Sequence, residues 1–212
     1  MIAVVDYGRG NLGSVRKALA ELAPDVMVTN DPAMVARART LVVPGDGAFA
    51  DAMTSLERLG LTDPIRAHIA AGRPYLGICL GYQLLFTESE EFGHAKGLDV
   101  LHGIVRRFPP GLKVPHMGWN RLWHDGTLPL LAGIPSGAYF YFVHSYYPEV
   151  SDALLADDGQ TAHCDYGVRF PALIARGQLY GTQFHPEKSQ GWGLRLLANF
   201  ARLVDGAAAA RA

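Results

Sequence analysis

Short apolar runs alternate with amphipathic stretches through the first part of the chain, as far as Phe86. Each run is bounded by polar or turn residues and has the length of a strand that is buried on both faces. Strands that alternate with helices form a parallel sheet with right-handed crossovers. The predicted strands are Ile2–Val5, Val26–Thr29, 41–43 and 75–78.

The segments between these strands carry helix signals. Asn11 stands at the start of a helix, and Asp31 and Pro32 combine a capping residue with a first-turn proline. The apolar positions after Asn11 recur at spacings of three and four, which places them on one helix face; they are Leu12, Val15, Leu19 and Leu22. Further helices are predicted at 49–59, at 62–71 and, after Cys79, as a short helix through Phe86.

The pattern changes after about residue 97, where short β-prone stretches are separated by glycine and proline turns. We expect partly antiparallel strands there, extending or flanking the sheet, at 100–108, 139–147, 161–165, 172–176 and 179–184. A last helix is predicted at about 191–204. The sequence thus predicts one α/β domain over residues 1–205, with a central, mostly parallel sheet flanked by helices, and an alanine-rich tail at 206–212 that frays.

Composition restricts the classes of function. The chain has 212 residues, and its charged fraction of 18% is below the usual quarter, which indicates that a partner covers part of the surface. A net charge of −1 argues against nucleic-acid binding. No apolar run approaches the ~20 residues of a membrane span, and the first residues do not form a signal peptide, so a cytoplasmic location is expected.

Metal and disulfide chemistry is not expected. The two cysteines, Cys79 and Cys164, make neither a disulfide framework nor a metal cluster, and the eight histidines show no H-x-x-x-H spacing. We therefore predict neither a metal nor a cofactor. Cys164 is interpreted as a buried small hydrophobic residue.

A glycine pattern near the N-terminus allows an alternative function. Residues 8–13 match G-x-G-x-x-G between a strand and a helix, as in dinucleotide-binding folds, and Asp31 lies near the end of the next strand. However, the polar pair Asp6 and Tyr7 separates the first strand from the first glycine, and the pattern is common by chance. We favour a glycine loop without a cofactor.

Cys79 stands in a sequence that is typical of a reactive nucleophile. Residues 77–81 read G-x-C-x-G, a nucleophile elbow in which small neighbours permit a sharp strand-to-helix turn. A cysteine at the start of a helix is favoured as the thiolate, which is the reactive form. A thiol-based binding protein of similar shape would share this elbow, but it would need no paired base.

A base and its orienting group lie together farther along the chain. In His185-Pro186-Glu187 the proline keeps the backbone extended, so that His185 and Glu187 can project from one side of a strand end. Residues 44–47 read P-G-D-G after the third strand, and glycines there let backbone N–H groups approach a reacting carbonyl. An ordinary tight turn is the alternative for that segment.

Together these segments resemble the class I (triad) glutamine amidotransferases. The resemblance runs nearly end to end, and it is greatest to the family of glutaminase subunits of imidazole glycerol phosphate synthase. The segments that carry it are 6–12 (DYGRGNL), 44–49 (PGDGAF), 77–86 (GICLGYQLLF), 114–120 (VPHMGWN), 141–146 (YFVHSY) and 184–189 (FHPEKS). An amidotransferase of another pathway is the nearest alternative.

The resemblance implies a role for each matching residue. Cys79, His185 and Glu187 would form the catalytic triad, and the backbone of Gly45, Asp46 and Leu80 would stabilise the oxyanion. The residues implied to hold glutamine are Gln83, Glu91, Ser145 and Tyr146. Those implied to face a partner, a (β/α)₈-barrel cyclase subunit, are Asn11, Trp119, Tyr141 and Lys188. Asp46 stands where the family usually has a neutral residue, so we expect its side chain to point away from the oxyanion.

Overall fold

A computed structural model describes residues 1–150 and 159–209. Through Cys79, four strands alternate with four helices, as the sequence predicts. The elements are β1 (Ile2–Val5), α1 (Leu12–Ala20), β2 (Val26–Thr29), α2 (Pro32–Arg37), β3 (Thr40–Gly45), α3 (Phe49–Arg58), α4 (Thr62–Ala70) and β4 (Tyr75–Cys79).

From Leu80 onward, strands predominate. The elements are α5 (Leu80–Gln83), β5 (Phe86–Ser89), β6 (Ala95–Lys96), β7 (Leu101–Arg107), β8 (His116–Leu122), β9 (Ala138–His144), β10 (Tyr146–Val150), β11 (Gln160–Asp165), β12 (Arg169–Arg176), β13 (Leu179–Thr182) and α6 (Gln190–Ala209). Two 3₁₀ turns, Pro129–Leu131 and Pro186–Lys188, interrupt the connections.

The central sheet has seven strands in the order β11-β12-β13-β4-β3-β1-β2. The five strands from β13 to β2 are parallel, and β11 and β12 extend the sheet as antiparallel strands. A four-stranded sheet, β10-β7-β5-β6, and the β8–β9 hairpin flank it. Hydrophobic cores cover both faces of the central sheet. The predicted α/β fold class is confirmed.

The two predicted helix caps are present. The Asn11 side chain accepts a hydrogen bond from the backbone N–H of Ser14 at the start of α1. Asp31 accepts one from Ala33 at the start of α2, where Pro32 occupies the first turn. Each cap satisfies an N–H group that has no partner within its own helix.

The structure corrects several predicted boundaries. The helix after Cys79 ends at Gln83 rather than Phe86, because Phe86 begins strand β5. The stretch 139–147 is two strands, β9 and β10, separated at Ser145. The last helix continues through Ala209 instead of ending near 204, since alanine has the highest helix propensity. Part of the expected frayed tail is therefore helical, and residues 210–212 lie outside the described residues.

Strand β8 was not predicted. Its inward positions are His116, Gly118, Asn120 and Leu122, while Met117 and Trp119 point outward. Over residues 116–120 the usual alternation of apolar and polar residues is thus inverted, which conceals the strand. Among the described residues, none of the helices has the length and apolar character needed to cross a membrane.

Candidate active site

Cys79 occupies a strained turn between β4 and α5. Its backbone has φ 54° and ψ −106°, in the left-handed half of the φ/ψ map that side chains rarely adopt. A Cβ added at Gly77 would lie 2.6 Å from the carbonyl oxygen of Gly81, and one added at Gly81 would lie 1.8 Å from that of Val43. The glycine bracket is therefore required by the close approach of three backbone segments.

The carboxyl end of β3 lies next to this turn. Gly45 is the register partner of Cys79 in the parallel pairing of β3 with β4. A side chain at Gly45 would collide with the hydroxyl oxygen of Tyr7, 2.0 Å from the Cβ position, and with Leu80. The backbone of Gly45 and the start of α5 thus both adjoin the Cys79 residue. The Asp46 carboxylate accepts a hydrogen bond from the N–H of Gly10 at 3.0 Å, toward the N-terminal loop.

In the loop at residues 8–13, two backbone N–H groups are hydrogen-bonded to the protein's own carboxylates. Asp6 accepts from the N–H of Gly8 at 2.9 Å, and Asp46 accepts from Gly10. A Cβ at Gly10 would lie 3.1 Å from Cα of Gly45, so this glycine permits close packing against β3. The loop therefore supports β3 and leaves these N–H groups unavailable to a pyrophosphate.

His185 follows β13 and is held by its backbone and its ring. Its N–H donates to the carbonyl of Tyr141 at 2.9 Å, and its own carbonyl accepts from the Ser189 hydroxyl at 2.6 Å. The ring nitrogen Nδ1 lies 2.8 Å from Oε1 of Glu187, whose side chain is 1% exposed. A carboxylate at this position fixes the ring orientation, with the proton on Nδ1.

The other ring nitrogen of His185 lies on the side away from Glu187. Nε2 is buried and has no hydrogen-bond partner among the described residues, and Cys79 is a neighbouring group that, with Glu187, acts on the pKa of the ring. Burial lowers the pKa of His185, but the charge and hydrogen bonding of Cys79 and Glu187 outweigh it and raise the pKa to about 10. The imidazole is therefore stabilised in its protonated form, which can donate a proton from Nε2.

A cavity of about 360 Å³ opens over Cys79. All four residues expected to hold glutamine line it, together with Cys79, Asp46, Leu80 and His185; these four are Gln83, Glu91, Ser145 and Tyr146. Gln83 Nε2 donates to the Tyr146 carbonyl at 2.8 Å, and the Glu91 carboxylate accepts from the N–H of Phe49 at 2.7 Å. Burial raises the pKa of Glu91.

The sequence analysis missed two polar residues that lie close to the cavity residues, one behind Cys79 and one in the cavity wall. Gln183, which is fully buried, donates from Nε2 to the Cys79 sulfur at 3.7 Å and accepts from Gln83 at 3.0 Å. His144 lines the cavity, and its Nδ1 lies 2.8 Å from the Tyr146 carbonyl. Gln183 could have been found from the sequence, because it is a polar residue at the end of an otherwise apolar strand. Cys164 is buried in the core, as expected, and burial raises its pKa to about 12.

The residues expected at a partner interface lie in three places. Trp119 and Tyr141 are register partners on β8 and β9 and form an edge-to-face pair with ring centroids 5.9 Å apart. Lys188 is exposed and lines the cavity over Cys79. Asn11 caps α1, next to the Gly10–Asp46 hydrogen bond. No group of three or more potential metal ligands occurs among the described residues.

Comparison with known proteins identifies the class. Residues 3–203 match the family of class-I glutamine amidotransferases. The fold is similar to that of a solved glutamine amidotransferase, with a TM-score of 0.74 at 19% identity over 97% of this chain and 100% of that one. The chain therefore belongs to the class-I glutamine amidotransferases.

Curated relatives define the family within this class. The chain is 50% identical to imidazole glycerol phosphate synthase subunit HisH of Desulfitobacterium hafniense, over 97% of this chain and 95% of that protein. It is 51% identical to the HisH subunit of Syntrophotalea carbinolica, over 94% and 98% respectively. The chain is a member of this HisH family of enzyme subunits. The family membership and the bonds of Asp6 and Asp46 to the loop N–H groups favour the glycine-loop interpretation of residues 8–13 over a dinucleotide site.

Proposed function

We propose that this chain hydrolyses glutamine through Cys79, His185 and Glu187 and passes the ammonia to a cyclase subunit of imidazole glycerol phosphate synthase. The observation that carries the proposal is the position of His185. One ring nitrogen lies 2.8 Å from Oε1 of Glu187, and the other is buried without a hydrogen-bond partner on a ring that lines the same cavity as Cys79. A nucleophile, a base and an orienting carboxylate are the three elements of covalent acyl transfer.

In the first half-reaction, the Cys79 sulfur bonds to the side-chain amide carbon of glutamine. The negative oxygen that develops is stabilised by backbone N–H groups of Leu80 and of the Gly45–Asp46 segment. The carbon–nitrogen bond breaks as His185 gives its Nε2 proton to the leaving nitrogen. Ammonia is released and a thioester remains.

In the second half-reaction, His185 takes a proton from water, and the water oxygen attacks the thioester carbonyl. The carbon–sulfur bond breaks, which releases glutamate and restores the Cys79 thiolate beside a protonated His185. Glu187 holds the ring through both steps because its bond to Nδ1 is needed whichever way the Nε2 proton moves.

The cavity has complementary groups for the glutamine head group. The Glu91 carboxylate supplies negative charge for the α-ammonium group, and the backbone of Ser145 and Tyr146 supplies polar groups along one wall. Gln83 is fixed by its bond to the Tyr146 carbonyl and contributes to the same wall.

The proposed partner is the (β/α)₈-barrel cyclase that uses ammonia in histidine biosynthesis. It converts a phosphoribulosyl-formimino aminoimidazole carboxamide ribonucleotide to imidazole glycerol phosphate and an aminoimidazole carboxamide ribonucleotide. Trp119 and Tyr139 are 45% and 46% exposed, beside an open cavity of about 440 Å³ that Trp192 also lines. Exposed aromatic clusters of this kind are typical of protein interfaces.

Glutamate release tests the proposal. It is measured for the purified chain alone and for the chain with the purified cyclase and its nucleotide ligand, with Cys79→Ser as the matched variant. We expect a large increase in turnover when the cyclase and nucleotide are added, and loss of turnover in Cys79→Ser. No glutamate release by the folded wild-type chain in either condition would refute the proposed function.

A further inference from the structure

A continuous row of polar side chains lies between β8 and the catalytic cavity. His116 and His144 are cross-strand register partners in the β8–β9 hairpin, and they are 4% and 6% exposed. His116 Nδ1 lies 3.0 Å from His144 Nε2, and His144 Nδ1 lies 2.8 Å from the Tyr146 carbonyl oxygen. At the other end, His116 Nε2 lies 3.1 Å from Asn120 Nδ2. The row therefore runs from Asn120 to the wall of the proposed glutamine pocket.

Both ends of the row have a fixed direction. The Asn120 amide orientation is set by two backbone contacts: its oxygen accepts from the N–H of Arg121 at 2.7 Å, and its nitrogen donates to the Asp165 carbonyl at 3.1 Å. Its second N–H points to His116 and must be a donor. The Tyr146 carbonyl can only accept, so His144 Nδ1 must carry a proton.

Only one arrangement of two neutral imidazoles satisfies both ends. His116 accepts at Nε2 from Asn120, so it carries its proton on Nδ1 and donates that proton to His144 Nε2. His144 accepts there and donates from Nδ1 to the Tyr146 carbonyl. A second proton on either ring would set two N–H groups against each other, at a site where a buried charge is already costly.

Packing restrains the middle of the row. The His116 ring is stacked between Phe142, at a centroid distance of 4.9 Å, and Tyr166, at 3.9 Å. Phe108 lies against both imidazoles, at 6.0 Å from His116 and 5.2 Å from His144. Burial is the main cause that lowers the pKa of His116 to about 4 and that of His144 to about 3, which agrees with two neutral rings.

The row ends on the carbonyl oxygen of Tyr146, a residue that lines the cavity. The Tyr146 carbonyl accepts from His144 and also from Gln83 Nε2, which donates in addition to Gln183. Gln183 in turn donates to the Cys79 sulfur. The position of this carbonyl therefore influences the substrate wall and, through two glutamines, the surroundings of the nucleophile.

We propose that His116 and His144 are positioning residues for glutamine binding: as neutral Nδ1–H tautomers they form a one-way hydrogen-bond chain that holds the Ser145–Tyr146 segment in place. The inference rests on the proposed function, because that function makes this segment a wall of the glutamine pocket. It also joins the outer hairpin strand β8, which carries Trp119, to the pocket by direct hydrogen bonds.

The tautomers are tested directly by NMR of the chain with ¹⁵N-labelled histidine. We expect His116 and His144 to carry their protons on Nδ1. His68 is the internal control with the opposite tautomer, because its Nε2 lies 2.9 Å from the Pro74 carbonyl and must donate there. A proton on Nε2 of either His116 or His144 near neutral pH would refute the proposed hydrogen-bond arrangement, whether or not the protein has glutaminase activity.

The positioning role is tested by a matched pair of variants, assayed in complex with the cyclase and its nucleotide. His144→Asn keeps a donor near Nδ1 for the Tyr146 carbonyl, whereas His144→Gln moves the donor to the Nε2 position. We expect His144→Gln to raise KM for glutamine about tenfold with a smaller change in kcat, and His144→Asn to stay within about threefold of wild type. Equal KM values in both variants and wild type would refute the role.

Asn120, at the outer end of the hydrogen-bonded row, is partly exposed and offers a second variant. Asn120→Asp replaces the donor to His116 by an acceptor, so His116 must take a proton on Nε2. We expect that shift in the ¹⁵N spectrum together with a rise in KM for glutamine. A shifted His116 signal with an unchanged KM would show that the hydrogen-bonded row does not influence glutamine binding, which would refute the positioning role. Inactivity of the wild-type complex would instead refute the proposed function. The hydrogen-bonded row would then be tested by the histidine tautomers alone.

Discussion

Gly45 and Cys79 are register partners at the carboxyl ends of the neighbouring parallel strands β3 and β4. The pairing brings the backbone of Gly45 beside Cys79, the proposed nucleophile, at the sheet edge where parallel strands of α/β folds present their functional groups. The elbow at Cys79 is tight enough that Gly81 lies against β3 as well, since a Cβ there would be 1.8 Å from the Val43 carbonyl oxygen. The geometry of the site thus depends on residues without side chains.

Gly81→Ala should therefore destabilise the fold. The new methyl group would overlap backbone atoms of β3, which cannot move without breaking the β3–β4 pairing, so we expect a loss of about 3 kcal/mol or more in the free energy of unfolding. Urea denaturation measures it. Gly191→Ala is the control, because a Cβ at this position in α6 meets nothing within 4 Å. A loss in Gly81→Ala no larger than in the control would contradict the interpretation of the elbow.

Much of the fold was predictable because its signals are local. The caps at Asn11 and Asp31 depend on N–H groups within three residues of each cap, and the apolar runs β1 to β4 depend on burial of both sheet faces. The elbow was also predictable, since its glycines are needed by the backbone of the same turn. Such constraints appear directly in the order of the residues.

The remaining features depend on distant partners. Strand β8 places His116 and Asn120 inward because their partners, His144 and the Asp165 carbonyl, come from elements farther along the chain. Gln183 meets Cys79 only after β13 pairs with β4. No local pattern of polarity predicts these contacts, since each polar group is satisfied by a tertiary hydrogen bond.

Glu187→Gln should separate the charge of Glu187 from its shape. The amide oxygen can still accept from His185 Nδ1, but the negative charge that helps to raise the pKa of His185 is lost. We expect kcat for glutamate release to fall roughly 10²- to 10⁴-fold, and NMR titration to give a pKa for His185 below the wild-type value. Glu57→Gln, on the exposed face of α3, is the control. An unchanged kcat would argue against a triad.

Acidification should destabilise the fold through buried neutral histidines. Burial lowers the pKa of His68 to about 4, and its Nδ1 is buried without a hydrogen-bond partner. Between pH 6.5 and 4 the unfolded chain binds a proton at this position that the folded chain does not. Stability attributable to His68 is therefore present above pH 6.5 and falls by about 1.4 kcal/mol per pH unit below it.

His68→Gln is the variant that isolates this contribution, because glutamine can keep a donor for the Pro74 carbonyl and does not titrate. The difference in unfolding free energy between wild type and variant should become less favourable to wild type as the pH falls through that interval. His185 acts in the opposite direction: its raised pKa of about 10 contributes stability that is lost as the pH rises from 6.5 through 10. If the difference in unfolding free energy between wild type and His68→Gln stays constant from pH 7 to 4.5, the assignment of this pH dependence to His68 is wrong.

Trp119→Ala should weaken binding to the cyclase. Trp119 is 45% exposed and packs edge-to-face on Tyr141, so it presents a large aromatic surface that is already ordered before binding. Truncation of an aromatic residue at the centre of an interface typically costs about 2 kcal/mol or more, which corresponds to at least a thirtyfold rise in Kd, measurable by titration calorimetry. Phe92→Ala is the control, because Phe92 is an 86% exposed aromatic on the connection between β5 and β6. Equal Kd values for the two variants and wild type would exclude the β8–β9 hairpin from the interface.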